Sequence, residues 1–365
     1  MSRRHLRAGG AVLAGLVATT SSLAAQDNIA SGRPVSFSEA RVEIYDAVGN
    51  ITMRRISGAA VTITATAQGA EGGQLTFAAD HDGDRGRFRV VFPDVEAIAS
   101  PAGAGRDMGG TSDLNLRRDG TFGGDNGDGW RRNRGDRVRV GGSRGFRGYA
   151  NLEIGVPDGR DVKVHLAVGR VGADGVNATV LVDTWGGDAE ATNIAGDWLF
   201  DTGSGDVTVR GARGTLKIDT GSGTGHVTGM TGDLLDVDTG SGDVDVTDVQ
   251  VDRFRFDTGS GNVVARNVTA RRGVADTGSG DVELAFATGA VVEDLLLDTG
   301  SGRVSLALLA SPNVRVSIDT GSGETTVQRA GAMYERRDSD GAVLRFGEGR
   351  GRIRIDTGSG DVTIR

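Results

Sequence analysis

Eight aspartates open the same five-residue stretch, Asp-Thr-Gly-Ser-Gly, at Asp201, Asp219, Asp238, Asp257, Asp276, Asp298, Asp319 and Asp356. An aspartate after apolar residues and before Thr-Gly-Ser is locally the pattern of an aspartic protease, whose chemistry needs two carboxylates sharing one proton across a cleft. The intervals here are 18, 19, 19, 19, 22, 21 and 37 residues. Copies at that spacing make a ladder, not a facing pair. A carboxylate ladder suggests a second chemistry, Ca²⁺ held between successive copies, which makes the same eight aspartates the metal candidates. The residue after the second glycine argues against it, because it is Asp206, Thr224, Asp243, Asn262, Asp281, Arg303, Glu324 and Asp361 in turn. Arg or Thr at a ligand position weighs against a continuous calcium ladder and leaves Ca²⁺ the lesser alternative. No cofactor is expected. Carboxylates ~4.8 Å apart would repel by ~0.9 kcal/mol per pair in bulk water, and hydrogen bonds from the turn amides are the expected offset.

Other catalytic chemistry finds few residues. The chain has four histidines and no cysteine. His81, His165 and His226 stand in no metal-ligand spacing and read as solvated strand or loop residues. Ser204 and its equivalents have no histidine paired with them in the sequence. A polysaccharide-cleaving β-helix remains as an enzymatic alternative, with Asp236, Asp238, Asp245 and Arg255 gathered on one face. Trp185 and Trp198 read as packing residues, and Trp130 as an exposed sticking point.

The elements that must position these residues follow from the period. Self-similarity at about 20 residues marks a repeat architecture in which each copy buries its apolar face against its neighbours. Before each turn runs an alternating strand, as in Leu216-Lys217-Ile218 or Phe254-Arg255-Phe256. After it comes another, as in Val207-Thr208-Val209 or Val244-Asp245-Val246. Period-two alternation buries one face of each strand and turns Thr220 inward and Asp219 outward. Gly203, Gly205 and their counterparts are expected to supply backbone angles closed to other residues. Degenerate copies sit at His165–Val171, at Asp183–Asp188 and at Asp338–Gly341. Counting these gives eleven rungs and a rod of roughly 50 Å. The fold expected is an all-β, single-chain solenoid with rungs of about 19 residues over 149–365.

Upstream, residues 26–99 carry strand signals, including Val42-Glu43-Ile44 and Val61-Thr62-Ile63, and read as a separate small β unit. Residues 100–148 hold ten Arg against six Asp with almost no apolar periodicity and read as a disordered Gly/Arg-rich insert. Residues 1–25 have the charge, apolar run and small-residue site of a signal peptide. The product is expected to be exported, to the periplasm, the cell surface or beyond, without a transmembrane span. The repeat region is acidic within a net charge of −8, so nucleic acid is not an expected partner. The final strand, ending at Ile364-Arg365, reads as uncapped, and an unpaired edge invites end-to-end self-association.

The stretches VEIYDAVGNITM, VTITATA, LEIGVPDGRDVKVHLAVGRV and the tandem DTGSGDVTV together resemble the DUF4097-type β-strand-repeat proteins, often labelled adhesins. The resemblance covers 34–99 and 150–365, and the Arg/Gly-rich insert departs from it. It implies a non-enzymatic, exported envelope or surface protein; the face repeated at every rung adds the expectation that it binds envelope polymers or proteins by multivalent contact. It also implies an alternative role, as an envelope-stress scaffold or sensor.

Overall fold

In a computed structural model, residues 27–100, 112–123, 135–309, 311–338 and 341–365 are described. The signal segment and Trp130 lie outside them. The described chain is all-β and its repeats stack as parallel, in-register rungs. Asp183 pairs with Asp201, Asp201 with Asp219, Asp219 with Asp238, and so on down the rod. Each rung has two legs. One long strand, such as Val207–Thr220, leaves one Gly-Ser-Gly turn, bends midway and arrives at the next. Alternation buries Val207, Val209, Leu216, Ile218 and Thr220 between the legs.

The midway bend has its own rule. Gly175, Asn193, Gly211, Gly229, Asp248 and Asn267 each stand six residues after a second glycine. All have φ between 54° and 74°. Only Gly, Asn and Asp enter this left-handed region at low cost, and only those types occur there.

The glycines of the turn act differently from expectation. Among the Asp-Thr-Gly-Ser-Gly copies only Gly321 has a left-handed φ, 54°. The second glycines instead form a column from Gly169 to Gly323 in which each lies against the carbonyl oxygen of the glycine one rung away. A Cβ there would sit 1.6–2.0 Å from that oxygen. In the Asp-Thr-Gly-Ser-Gly copies close stacking, not backbone angle, requires glycine at this position.

The N-terminal residues are not a separate unit. Strand Arg41–Arg55 is the first rung, with Arg41 pairing Asp161 and Arg54 pairing Asp174 in parallel register. Above it, antiparallel strands cap both legs. Thr76–Asp82 covers Arg85–Val91 on one leg, and Val61–Gln68 covers Tyr149–Val156 on the other.

Part of the insert is ordered, contrary to expectation. Ser112–Leu116 and Asp136–Val140 pair antiparallel, with Ala97–Ile98 alongside. Leu114, Leu116, Phe122, Val138, Val140 and Phe146 are buried. The few apolar residues of 112–123 and 135–148 alternate closely enough to fold onto the first rung, where Phe122 meets Tyr45 edge-on at 5.9 Å.

The other end reverses the chain order. Asp294–Thr299 pairs with Gly351–Thr357, which pairs in turn with Val314–Asp319. The rung of Asp356 therefore slots between those of Asp298 and Asp319. Asp338 and Gly341 do not mark a rung; they follow and open two strands, Met333–Arg337 and Gly341–Phe346, that pair antiparallel, and the second lies antiparallel on Val314–Asp319 and caps it. The final strand Val362–Ile364 is paired on both sides, by Val304–Ala307 and Thr325–Val327. The final strand is therefore not the edge as expected; among the described residues this leg ends on Thr325–Val327, which pairs on one side. Among the described residues no helix is long and apolar enough to cross a membrane.

Candidate functional site

Strict register turns each template position into a column. The inner column of the turn runs Leu166, Thr184, Thr202, Thr220, Thr239, Thr258, Thr277, Thr299, Thr357, Thr320, and every threonine is at most 5% exposed. In the middle of the rod each hydroxyl makes two bonds. Thr258 Oγ1 accepts the N–H of Gly261 at 3.0 Å and donates to the carbonyl of Gly242, one rung away, at 2.8 Å. Thr239, Thr277 and Thr299 repeat this pattern. The hydroxyl thus satisfies a buried donor and a buried acceptor that the turn itself cannot pair.

At the head of this column, beside Leu166, stands Asp46. It is fully buried; Oδ1 accepts the Val48 N–H at 3.2 Å, and Oδ2 has no hydrogen-bond partner. A Cβ on Gly49 would lie 1.7 Å from the Ala150 carbonyl oxygen and 2.5 Å from Asp46 Oδ2. Gly302 and Gly360 have the same two kinds of neighbour, a carbonyl from the adjacent rung and a threonine Oγ1. A protonated Oδ2 would stand where the threonine hydroxyl stands elsewhere. Burial pushes the Asp46 carboxyl well above its usual range.

The outer column runs Tyr45, His165, Asp183, Asp201, Asp219, Asp238, Asp257, Asp276, Asp298, Asp356, Asp319. The eight sequence-predicted aspartates are therefore brought into one line. His165 is not solvated as expected. It is 6% exposed, stacks on Tyr45 at 4.6 Å, and its Nδ1 lies 2.9 Å from Asp183 Oδ2.

The expected offset for the carboxylate repulsion is largely missing. Of the eight, Asp319 accepts a turn amide, from Gly321 at 3.4 Å. Arg255 lies 3.2 Å from Asp238, 2.6 Å from Asp257 and 3.6 Å from Asp236. Burial, then the neighbouring aspartates, raises the pKa of Asp201, Asp219 and Asp298. Asp257, Asp276 and Asp356 are also raised, burial first, with arginine partly opposing.

The turn amides are satisfied instead by the column after the second glycine. Asp206 Oδ1 accepts the Thr224 N–H at 2.7 Å, Asp243 that of Asn262 at 2.7 Å, and Asp281 that of Arg303 at 2.8 Å. Thr224 and Arg303 are tolerated because each supplies its N–H to the side chain one rung away. Among the described residues no three His, Cys, Asp or Glu side chains converge as a metal site requires. Of the proposed catalytic face, Asp236, Asp238 and Arg255 meet. Asp245 sits on the other leg, 3.5 Å from His226. Trp198 is buried, stacked on Phe200 at 5.5 Å, and Trp185 packs half-buried against the core.

The sequence reading missed a groove on the leg that follows the turn. Its outward column runs Thr52, Gly172, Glu190, Thr208, His226, Asp245, Val264. An open depression of about 530 Å³ lies over Gly172, and one of about 370 Å³ continues past His226. The available signal was Gly172, which interrupts the polar outward positions of its column.

Two legs, two turns and parallel register through every repeat define an all-β solenoid. The match to known families agrees: the model described as Toastrack DUF4097 covers residues 150–365, and the chain belongs to that family. No curated protein matches it. Among solved structures, one titled "putative cell adhesion protein" from Clostridium sporogenes aligns over 93% of this chain and 98% of its own, at 8% identity and a TM-score of 0.17. That likeness is too distant to carry an argument.

Proposed function

We propose that this Toastrack protein is an exported, non-enzymatic binding protein of the cell envelope or surface that works by multivalent contact. What supports the reading is the columnar placement of its polar side chains. From Asp183 onward each rung offers one carboxylate on one leg, and most rungs offer a polar group on the other, repeated every ~4.8 Å. Weak contacts in such an array add into avidity without any one site being strong. Its partners are envelope or surface polymers or proteins. The signal-like sequence at 1–25 supports export, and cell fractionation checks it.

A rung deletion tests the mode of binding. Removing 238–256 joins Val237 to Asp257 and restores the template, and a solenoid tolerates the loss of a rung. Wild-type protein is expected to bind intact cells or isolated envelope, and each deleted rung to weaken that binding. Unchanged affinity after deletion would point to a single local site, and no binding to any envelope fraction would refute the reading.

A further inference from the structure

We propose that the groove over Gly172 binds a linear, uncharged β-linked glycan running along the rod axis; this rests on the binding reading above and names its ligand. Gly172 is the starting point because the fold does not ask for it. A Cβ there would meet nothing nearer than the Ile51 carbonyl oxygen at 4.0 Å, and its φ is not left-handed. Gly169 and Gly187, on either side in sequence, would each bring a Cβ within 1.7 Å of a carbonyl. They have a packing reason and Gly172 has none. Its missing side chain opens the space between Thr52 and Glu190.

The walls carry donors and acceptors side by side. Arg170 is 61% exposed and stands 3.8 Å from Asp188, too far for a hydrogen bond, so its guanidinium donors are free for a ligand. Arg210 is held by Glu190 at 2.5 Å. Sugar hydroxyls both donate and accept, and suit such a lining. With Asp206, three carboxylates face two guanidiniums, which disfavours a polyanion. The second depression lies on the next rungs of the same columns, with Thr208 pairing His226. A ligand leaving the first therefore enters the second. Extended β-linked sugars repeat at close to the rung spacing of ~4.8 Å, so successive units meet equivalent positions. Neither depression is lined by Trp, Tyr or Phe, and the second offers the one imidazole of His226, so each sugar contributes little and affinity must grow with chain length.

The test is titration of the full chain with β-1,4-linked N-acetylglucosamine and glucose oligomers from disaccharide to hexasaccharide, with polygalacturonate as the anionic comparator. Affinity is expected to rise about tenfold or more across a series, in line with additive weak contacts. Gly172→Gln, which fills the gap, is expected to abolish most of that gain at an unchanged melting temperature. Lys217→Gln, on the other leg, leaves it intact. Three results would each overturn the proposal: no binding by either series at millimolar concentration, equal binding by Gly172→Gln, or tighter binding of polygalacturonate. If wild type and Gly172→Gln adhere equally to cells, the groove is wrong and the binding reading stands; if wild type itself does not adhere, the reading has failed.

Discussion

Two aspartate types share the turn and do opposite things. Asp206, Asp243 and Asp281 spend their oxygens on backbone N–H groups, whereas the Asp201-to-Asp319 column is stacked with little to offset it. The raised pKa values fix the sign of the pH response. A carboxyl raised in the fold binds more protons folded than unfolded, so its contribution is fully present below the unfolded value of about 3.9 and is lost as pH climbs through the raised one. Asp158 and Asp119 are lowered, Asp158 chiefly by Arg55; at Asp119 burial pushes upward, but the hydrogen bonds from Thr121 together with Arg89 and Arg117 outweigh it. They oppose this trend only in acid near and below their unfolded values. The melting temperature is therefore expected to rise as the pH is lowered from 7 toward the unfolded value of about 4, and thermal scans across that range check it. Asp276→Asn should stabilise at pH 7 by a few tenths of a kcal/mol once solvent screening is allowed for. Thr258→Val, nearly isosteric, leaves the Gly261 N–H and Gly242 carbonyl unpaired and should cost about 1–3 kcal/mol, while Thr258→Ser retains most of the stability; chemical denaturation separates them. The inward threonine and outward aspartate were legible from alternation alone. Which aspartate served the amides was not, because it depends on the rung-to-rung offset of the turn.

At the scale of the rung, the period and the paired strands were readable from Phe254-Arg255-Phe256 and its counterparts. The reason for glycine was not. Sequence shows an invariant small residue within the chain but not what lies one rung away. Gly261→Ala would place its Cβ 1.9 Å from the Gly242 oxygen and is expected to cost upward of about 3 kcal/mol. Gly172→Ala, with open space around it, should stay within about 0.5 kcal/mol. Equal effects in urea denaturation would remove the packing account of the column. The left-handed bend at Gly175, Asn193, Gly211, Gly229, Asp248 and Asn267 was visible in principle, as Gly, Asn or Asp at a fixed offset. It was hidden by the stronger Asp-Thr-Gly-Ser-Gly signal.

For the molecule as a whole, the solenoid was legible and its two ends were not. Residues 41–55 join the ladder because Val42, Ile44 and Ile51 match the alternation of the rungs they cover, although no Asp-Thr-Gly marks them. At the far end, spacing alone made Asp338–Gly341 look like a rung, and only pairing reveals the insertion of Asp356 between Asp298 and Asp319. That order is what closes the stack and buries the last strand. The chain lacks cysteine, so introduced pairs report it cleanly. Leu296 and Arg354 are partners on adjacent outward-facing positions, and Arg354 in turn partners Ser317. Adjacent rungs, ~4.8 Å apart, are within disulfide reach, and rungs two apart are beyond it. Oxidation of the Leu296→Cys/Arg354→Cys protein is predicted to give a near-quantitative intramolecular disulfide, and Leu296→Cys/Ser317→Cys to give none. The reverse outcome would mean that the rungs stack in chain order and that the register described here is wrong.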